Sequence, residues 1–127
     1  MNKSNNNEKK NGRYGGDLPH SVKEIARAYI VDYDRRSKLI GDKERLSRDE
    51  IHLKQLNVKI DTVIRRVLSM YGIYGAAAKT IENDIKNGAG SRSARAVSRV
   101  GSFLSRGTYI KIQDDVFWFV AKELRLY

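Results

Sequence analysis

Residues 46–72, LSRDEIHLKQLNVKIDTVIRRVLSMYG, decide the fold class. The stretch opens with Ser47-Arg-Asp-Glu50, a capping box. The Ser47 side chain can accept the Glu50 amide, and the Glu50 side chain can reach back to the Ser47 amide. Leu46 and Ile51 occupy the hydrophobic-staple positions on either side of it. Leu56, Ile60, Val63, Ile64, Val67, Leu68 and Tyr71 then keep helical spacing without a break, and Gly72 supplies a stop. This predicts an amphipathic helix of about 25 residues, the spine of an all-α domain.

The flanking segments extend the pattern. Upstream, Pro19 precedes Ser21-Val-Lys-Glu24, a second capping box. Val22, Ile25, Ala26, Tyr29, Ile30 and Tyr33 follow at the spacing of one buried face, and Gly41 should end that helix near Ile40. Downstream, residues 74–87 read as a shorter helix with Ala77, Ala78, Ile81 and Ile85 inward. Asn87-Gly-Ala-Gly-Ser91 is a break, and a helix over 91–106 ends at Gly107. The last segment has two readings. Thr108-Tyr-Ile-Lys-Ile112 alternates and is β-branched, so it reads as a short strand. Asp114 then caps a helix with Phe117, Val120, Ala121 and Leu124 on one face. The competing reading pairs 108–112 with 116–120 as a hairpin, the wing of a winged helix. The helix is favoured because Ala121-Lys-Glu-Leu124 continues it comfortably. The expectation is a compact domain of four to five helices over residues 18–127, with a candidate helix–turn–helix at 74–106 and a candidate strand or wing at 108–120. Residues 1–17, rich in Asn, Lys and Gly, read as a disordered basic tail.

Composition narrows the function. The 127 residues carry 25 basic and 15 acidic side chains, net +10, with an isoelectric point near 9.9. Such a balance favours anionic partners, above all nucleic acid. The charge is also clustered. Between Asp84 and Asp114 there is no acidic residue, while Lys86, Arg92, Arg95, Arg99, Arg106 and Lys111 lie within that run. On a helix over 91–106 the four arginines fall within an arc of about 60°, beside a stripe of Val97, Val100 and Leu104. Ser91 and Ser98 are short donors near the same face. These eight polar residues, from Lys86 to Lys111, form the predicted nucleic-acid contact set, with the arginine helix in the recognition position. Arg65 and Arg66, opposite the core stripe of the long helix, could extend it.

Other chemistries are poorly supplied. The chain has no cysteine, which excludes disulfides and thiolate metal sites. Asp32 and Asp34 point apart on a helix, and His20 and His52 are solitary, so neither a metal site nor a general base is assembled. The glycine-rich pieces at 12–16 and 88–90 match neither a phosphate loop nor a dinucleotide fingerprint. We therefore expect no enzymatic activity, no cofactor and no metal. No apolar run reaches the ~18 residues of a membrane span, and the basic N-terminus lacks a signal-peptide core. The expected setting is the cytoplasm.

Both ends of the folded region carry a resemblance. Leu18-Pro-His-Ser21 with Tyr29-Ile-Val-Asp-Tyr-Asp-Arg-Arg36, and Phe117-Trp-Phe-Val-Ala-Lys-Glu-Leu-Arg-Leu126, resemble small prophage-encoded proteins of Gram-positive bacteria. These are grouped loosely with the RinA and ArpU type of phage late-gene regulators. The resemblance implies an all-helical transcription regulator that binds duplex DNA in a bacterial host cell. It nominates no functional residue. The alternative reading is a phage interaction module that binds a host nucleic-acid-processing protein. Trp118 and Tyr127 permit an oligomer.

Overall fold

A computed structural model describes residues 18–88 and 105–127, and every regular element among them is a helix. The order is α1 (His20–Val31), α2 (Tyr33–Ile40), α3 (Arg48–Met70), α4 (Gly75–Gly88) and α5 (Arg106–Glu123). The predicted all-α architecture is therefore the one that forms. The predicted tail and the arginine-striped segment up to residue 104 lie outside the described residues.

Helix α3 is built as its sequence dictates. The Ser47 side chain accepts the Glu50 amide at 3.2 Å, and the Ser47 amide donates to Glu50 Oε1 at 2.9 Å. At the other end the Ile73 amide reaches the Leu68 carbonyl and the Gly72 amide reaches the Ser69 carbonyl, both at 3.0 Å. That Schellman arrangement places Gly72 at φ 71°, where a side chain would be strained. Helix α5 ends in the same way, but with Arg125 in the left-handed position at φ 56°.

Three expectations are corrected. Helix α1 begins at His20, two residues earlier than a Ser21 cap requires. The Pro19 carbonyl accepts the Lys23 amide at 3.0 Å, so Ser21 is already inside the first turn and cannot cap it. Glu24 instead pairs with Arg27 at 2.7 Å. Second, the predicted single helix to Ile40 is divided at Asp32, whose ψ of 0° departs from helical geometry. Third, residues 108–120 form neither strand nor wing. Ser105 caps α5 by accepting the Thr108 amide at 3.1 Å. A strand would send Tyr109 and Ile112 to opposite faces. The helix puts both on one face with Val116 and Val120, and all four are buried. Asp114 is consequently a mid-helix residue and not a cap.

Helix α5 is the most enclosed element. It packs against α1 and antiparallel to α3, with α4 lying across α1 and α3. Its burial runs around the helix and includes Gln113, Asp114 and Asp115. Asp115 accepts the Tyr71 hydroxyl at 2.6 Å, and Asp114 accepts Lys23 Nζ at 3.3 Å. Burial holds the Asp114 carboxyl above its ordinary pKa despite the opposing Lys23 charge. The apolar core joins Ala26 and Ile30 of α1, Ile60 to Leu68 of α3, Ile81 and Ile85 of α4, and the inner face of α5.

Two outcomes follow from this packing. Ile64 is fully buried at the centre of α3. Ile64→Ala should cost about 2–5 kcal/mol in urea unfolding. A loss below about 1 kcal/mol would mean a site able to collapse. Glu50 is held by Lys43 and by the Ser47 amide, which push its carboxyl from 4.5 down to about 2. A depressed carboxylate pKa stabilises the fold above the unfolded value, and that contribution is lost as pH falls through the folded value. Unfolding curves of the wild type and Glu50→Gln should therefore converge between pH 4.5 and about 2. Curves that stay parallel through that window would remove Glu50 from the acid transition.

Candidate nucleic-acid interface

The predicted contact set does not assemble as one face among the described residues. Ser91, Arg92, Arg95, Ser98 and Arg99 lie outside them. Arg106 is exposed, but it begins α5 and does not end the preceding segment. Lys111 is half-buried on α5. Five residues separate it from Arg106, about 140° around the helix, so the two cannot share a stripe.

Lys86 has a different task. Its ammonium lies 2.6 Å from Asp61 Oδ1 and 2.9 Å from Glu82 Oε2, and 3.9 Å from the centre of the Tyr33 ring. Burial alone would lower its pKa, but the bonds to Asp61 and Glu82 outweigh that and raise it. Tyr33 donates to Asp61 Oδ2 at 2.8 Å, and Arg65 reaches Glu82 Oε1 at 3.3 Å. Burial and that hydrogen bond to Asp61 together raise the Tyr33 pKa. Asp61 and Glu82 thus balance Lys86 and Arg65. The Lys86 charge joins α4 to α3 and α2 and is not presented to solvent.

Removing that internal pairing exposes a basic surface elsewhere. Between Glu50 and Glu82 the only acidic residue is Asp61, which points into the Lys86 network. The outer side of α3 is left with Lys54, Lys59 and Arg66, none of which has a carboxylate partner among the described residues. Lys59 and Arg66 are seven residues apart, two helical turns, and share one stripe. That stripe borders the end of α5. Lys59 and Arg125 line one groove of about 290 Å³ together with Gln55, Leu56 and Leu124. The Arg66 guanidinium sits 4.8 Å from the Phe119 ring centre. Lys122 sits 5.3 Å from the Trp118 ring and 4.6 Å from the Tyr127 ring.

The aromatic faces are therefore partly covered by cations. They hold long, flexible side chains in place, which reduces the entropy lost when those cations meet an anion. They are not open stacking platforms. Arg66 and Lys122, held against aromatic rings, and Lys59 and Arg125, which line one groove, make a basic seam along α3 and the end of α5, with one carboxylate, Glu123, in that groove. No group of metal-ligating side chains occurs among the described residues, and no helix there is long and apolar enough to cross a membrane.

Sequence reasoning noticed Arg66 but missed Lys59, Lys122 and Arg125. The absence of acid between Glu50 and Glu82, apart from Asp61, was the available signal. Comparison of the chain with protein-family models, curated proteins and solved structures finds no match.

The two kinds of cation should separate in experiment. Lys86→Met leaves two carboxylates without their ammonium and should cost of order 3 kcal/mol of stability, with little effect on anion binding. Arg66→Ala should change stability by no more than about 1 kcal/mol. Urea unfolding measures both, and equal costs would contradict the division.

Proposed function

We propose that this chain binds duplex DNA through its sugar-phosphate backbone. The observation that carries the reading is the seam of Lys59, Arg66, Lys122 and Arg125, cations without carboxylate partners held along two antiparallel helices. Three of the chain's nearby acids, Asp61, Glu82 and Asp114, are consumed by internal bonds and do not weaken that field. The acid-free run that contains Arg92, Arg95, Arg99 and Arg106 would add contacts of the same kind. A role in regulating phage genes is the finer form of this proposal and comes from the resemblance at the two chain ends.

Backbone recognition has a quantitative signature. Each phosphate neutralised releases counterions, so four contacts from the seam give a log–log salt slope of about −4. Fluorescence anisotropy on a random duplex should show affinity falling as salt rises from about 50 to about 200 mM. Lys59→Ala with Arg66→Ala should weaken binding and flatten the slope by about one unit per lost contact. Arg95→Ala with Arg99→Ala tests the acid-free run in the same way. Lys38→Ala is the control, because Lys38 is exposed but paired with Asp34 at 3.4 Å. Absence of binding at about 50 mM salt, where phosphate contacts are strong, would reject the proposal and direct the positive seam to an acidic protein.

A further inference from the structure

Helix α1 was expected to bury Ile25 and Tyr29 along with Ala26 and Ile30. The structure buries only the second pair. Ile25 remains 47% exposed, Tyr29 37% and Val31 42%. With the exposed Ala28 they form one wall of an open groove of about 720 Å³, and Leu53 and Leu56 of α3 form the other. The lining is mainly apolar, and no element of the described fold covers it. Contiguous apolar surface of this kind marks an interaction site more often than chance exposure.

Charge indicates what covers it. The chain carries net +10, but the charged groups lining this groove are Glu24, Asp32, Arg35 and Arg36, two of each sign. They are already paired. Glu24 binds Arg27 at 2.7 Å, Arg35 binds Asp32 at 2.6 Å, and Arg36 lies 3.4 Å from the same carboxylate. The Arg35 bond comes first among the causes that hold the Asp32 carboxyl below its ordinary pKa. No lysine lines the groove. A polyanion gains nothing on a face with balanced charge. Two copies of a +10 chain, by contrast, repel across their basic surfaces and meet at least cost where the charge cancels.

We infer that this groove is the self-association surface, and that its occupant is the same face of a second copy of the chain. A two-fold contact is isologous, so each α1 supplies both the ridge of Ile25 and Tyr29 and the groove that receives it. Ala28, the smallest residue of the wall, lies where the two α1 helices cross and allows close approach. Tyr29 and Leu56 border both this groove and the smaller one beside Lys59 and Arg125, but none of the seam cations lines the α1 groove, so the inference does not depend on the DNA reading.

The salt dependence separates the two. Screening the mutual repulsion should strengthen self-association, whereas phosphate binding weakens with salt. Sedimentation equilibrium of the full chain without nucleic acid, from about 1 to about 100 µM, should show a monomer–dimer equilibrium that shifts toward dimer as salt rises. Ala28→Glu should weaken it at least about tenfold. Val58→Glu, on an exposed apolar site of α3 outside the groove, should leave it unchanged. Circular dichroism checks that each variant folds, and Ile25→Lys replaces Ala28→Glu if the latter loses helix. A wild type that stays monomeric at about 100 µM overturns the inference. So does a dimer insensitive to both α1 variants, or one broken by Val58→Glu. A monomer whose groove binds an apolar dye, with binding lost in Ala28→Glu, also overturns it and assigns the groove to a small apolar ligand.

Discussion

The packing of the first half of the chain depends on one buried guanidinium. Arg36 is 2% exposed, and dehydrating such a charge costs several kcal/mol unless its donors are matched. They are matched on three sides. Nε donates to Asn57 Oδ1 at 2.6 Å, Nη2 to the Tyr29 carbonyl, and Nη1 approaches Asp32 at 3.4 Å. Asn57, itself buried, returns two bonds to α2 through the Tyr33 carbonyl and the Ser37 hydroxyl. Helix α2 offers little apolar surface of its own, since Arg36 is its only buried residue. It is therefore held to α3 by directed bonds more than by area. Tyr29 lies in the last turn of α1, where carbonyls lack intrahelical partners, so the break at Asp32 and the burial of Arg36 satisfy each other. Leaving Asn57 or Arg36 alone in that site would strand a buried polar group, and α2 has no apolar reserve to offset it.

The same economy governs the other acids. Asp61 and Glu82 fix Lys86, Asp114 meets Lys23, and Asp115 takes the Tyr71 hydroxyl inside α5. Each of these carboxylates stitches one helix to another. The chain thus uses much of its negative charge internally, and its excess of lysine and arginine is left outside. The basic seam is a consequence of how the core is bonded. On the α3 side it is unopposed by the acid nearest in sequence, Asp61, which points the other way, and Glu123 is the carboxylate that meets it from the end of α5.

Legibility followed the range of the interactions. The ends of α3 were readable because a capping box and a glycine stop are local, completed within a few residues. The core stripe from Ile60 to Leu68 was readable because its period is set by one helix. The break at Asp32 was not, since no glycine or proline marks it and the bond that Arg36 makes just beyond it goes to Asn57, 21 residues away. Residues 108–112 misled because alternating β-branched residues fit a strand locally, whereas the face that buries Tyr109 with Ile112 exists only once α1 and α3 are present.

The candidate site failed in the sequence for the same reason, in both directions. Lys86 looked available because its basic neighbours in the run were counted without Asp61, 25 residues away. Lys59 and Arg125 looked unrelated because only antiparallel packing of α3 and α5 brings them to one groove. Net charge can be read from a sequence, but its free part is what remains after tertiary pairing. Among the described residues part of that remainder lies along the seam, while the face of α1 whose charges cancel carries uncovered apolar side chains. A strongly charged chain meets its own copy at least cost on such a face, so in the proposed dimer the pairing that concentrates charge on one side would also favour where a second copy approaches.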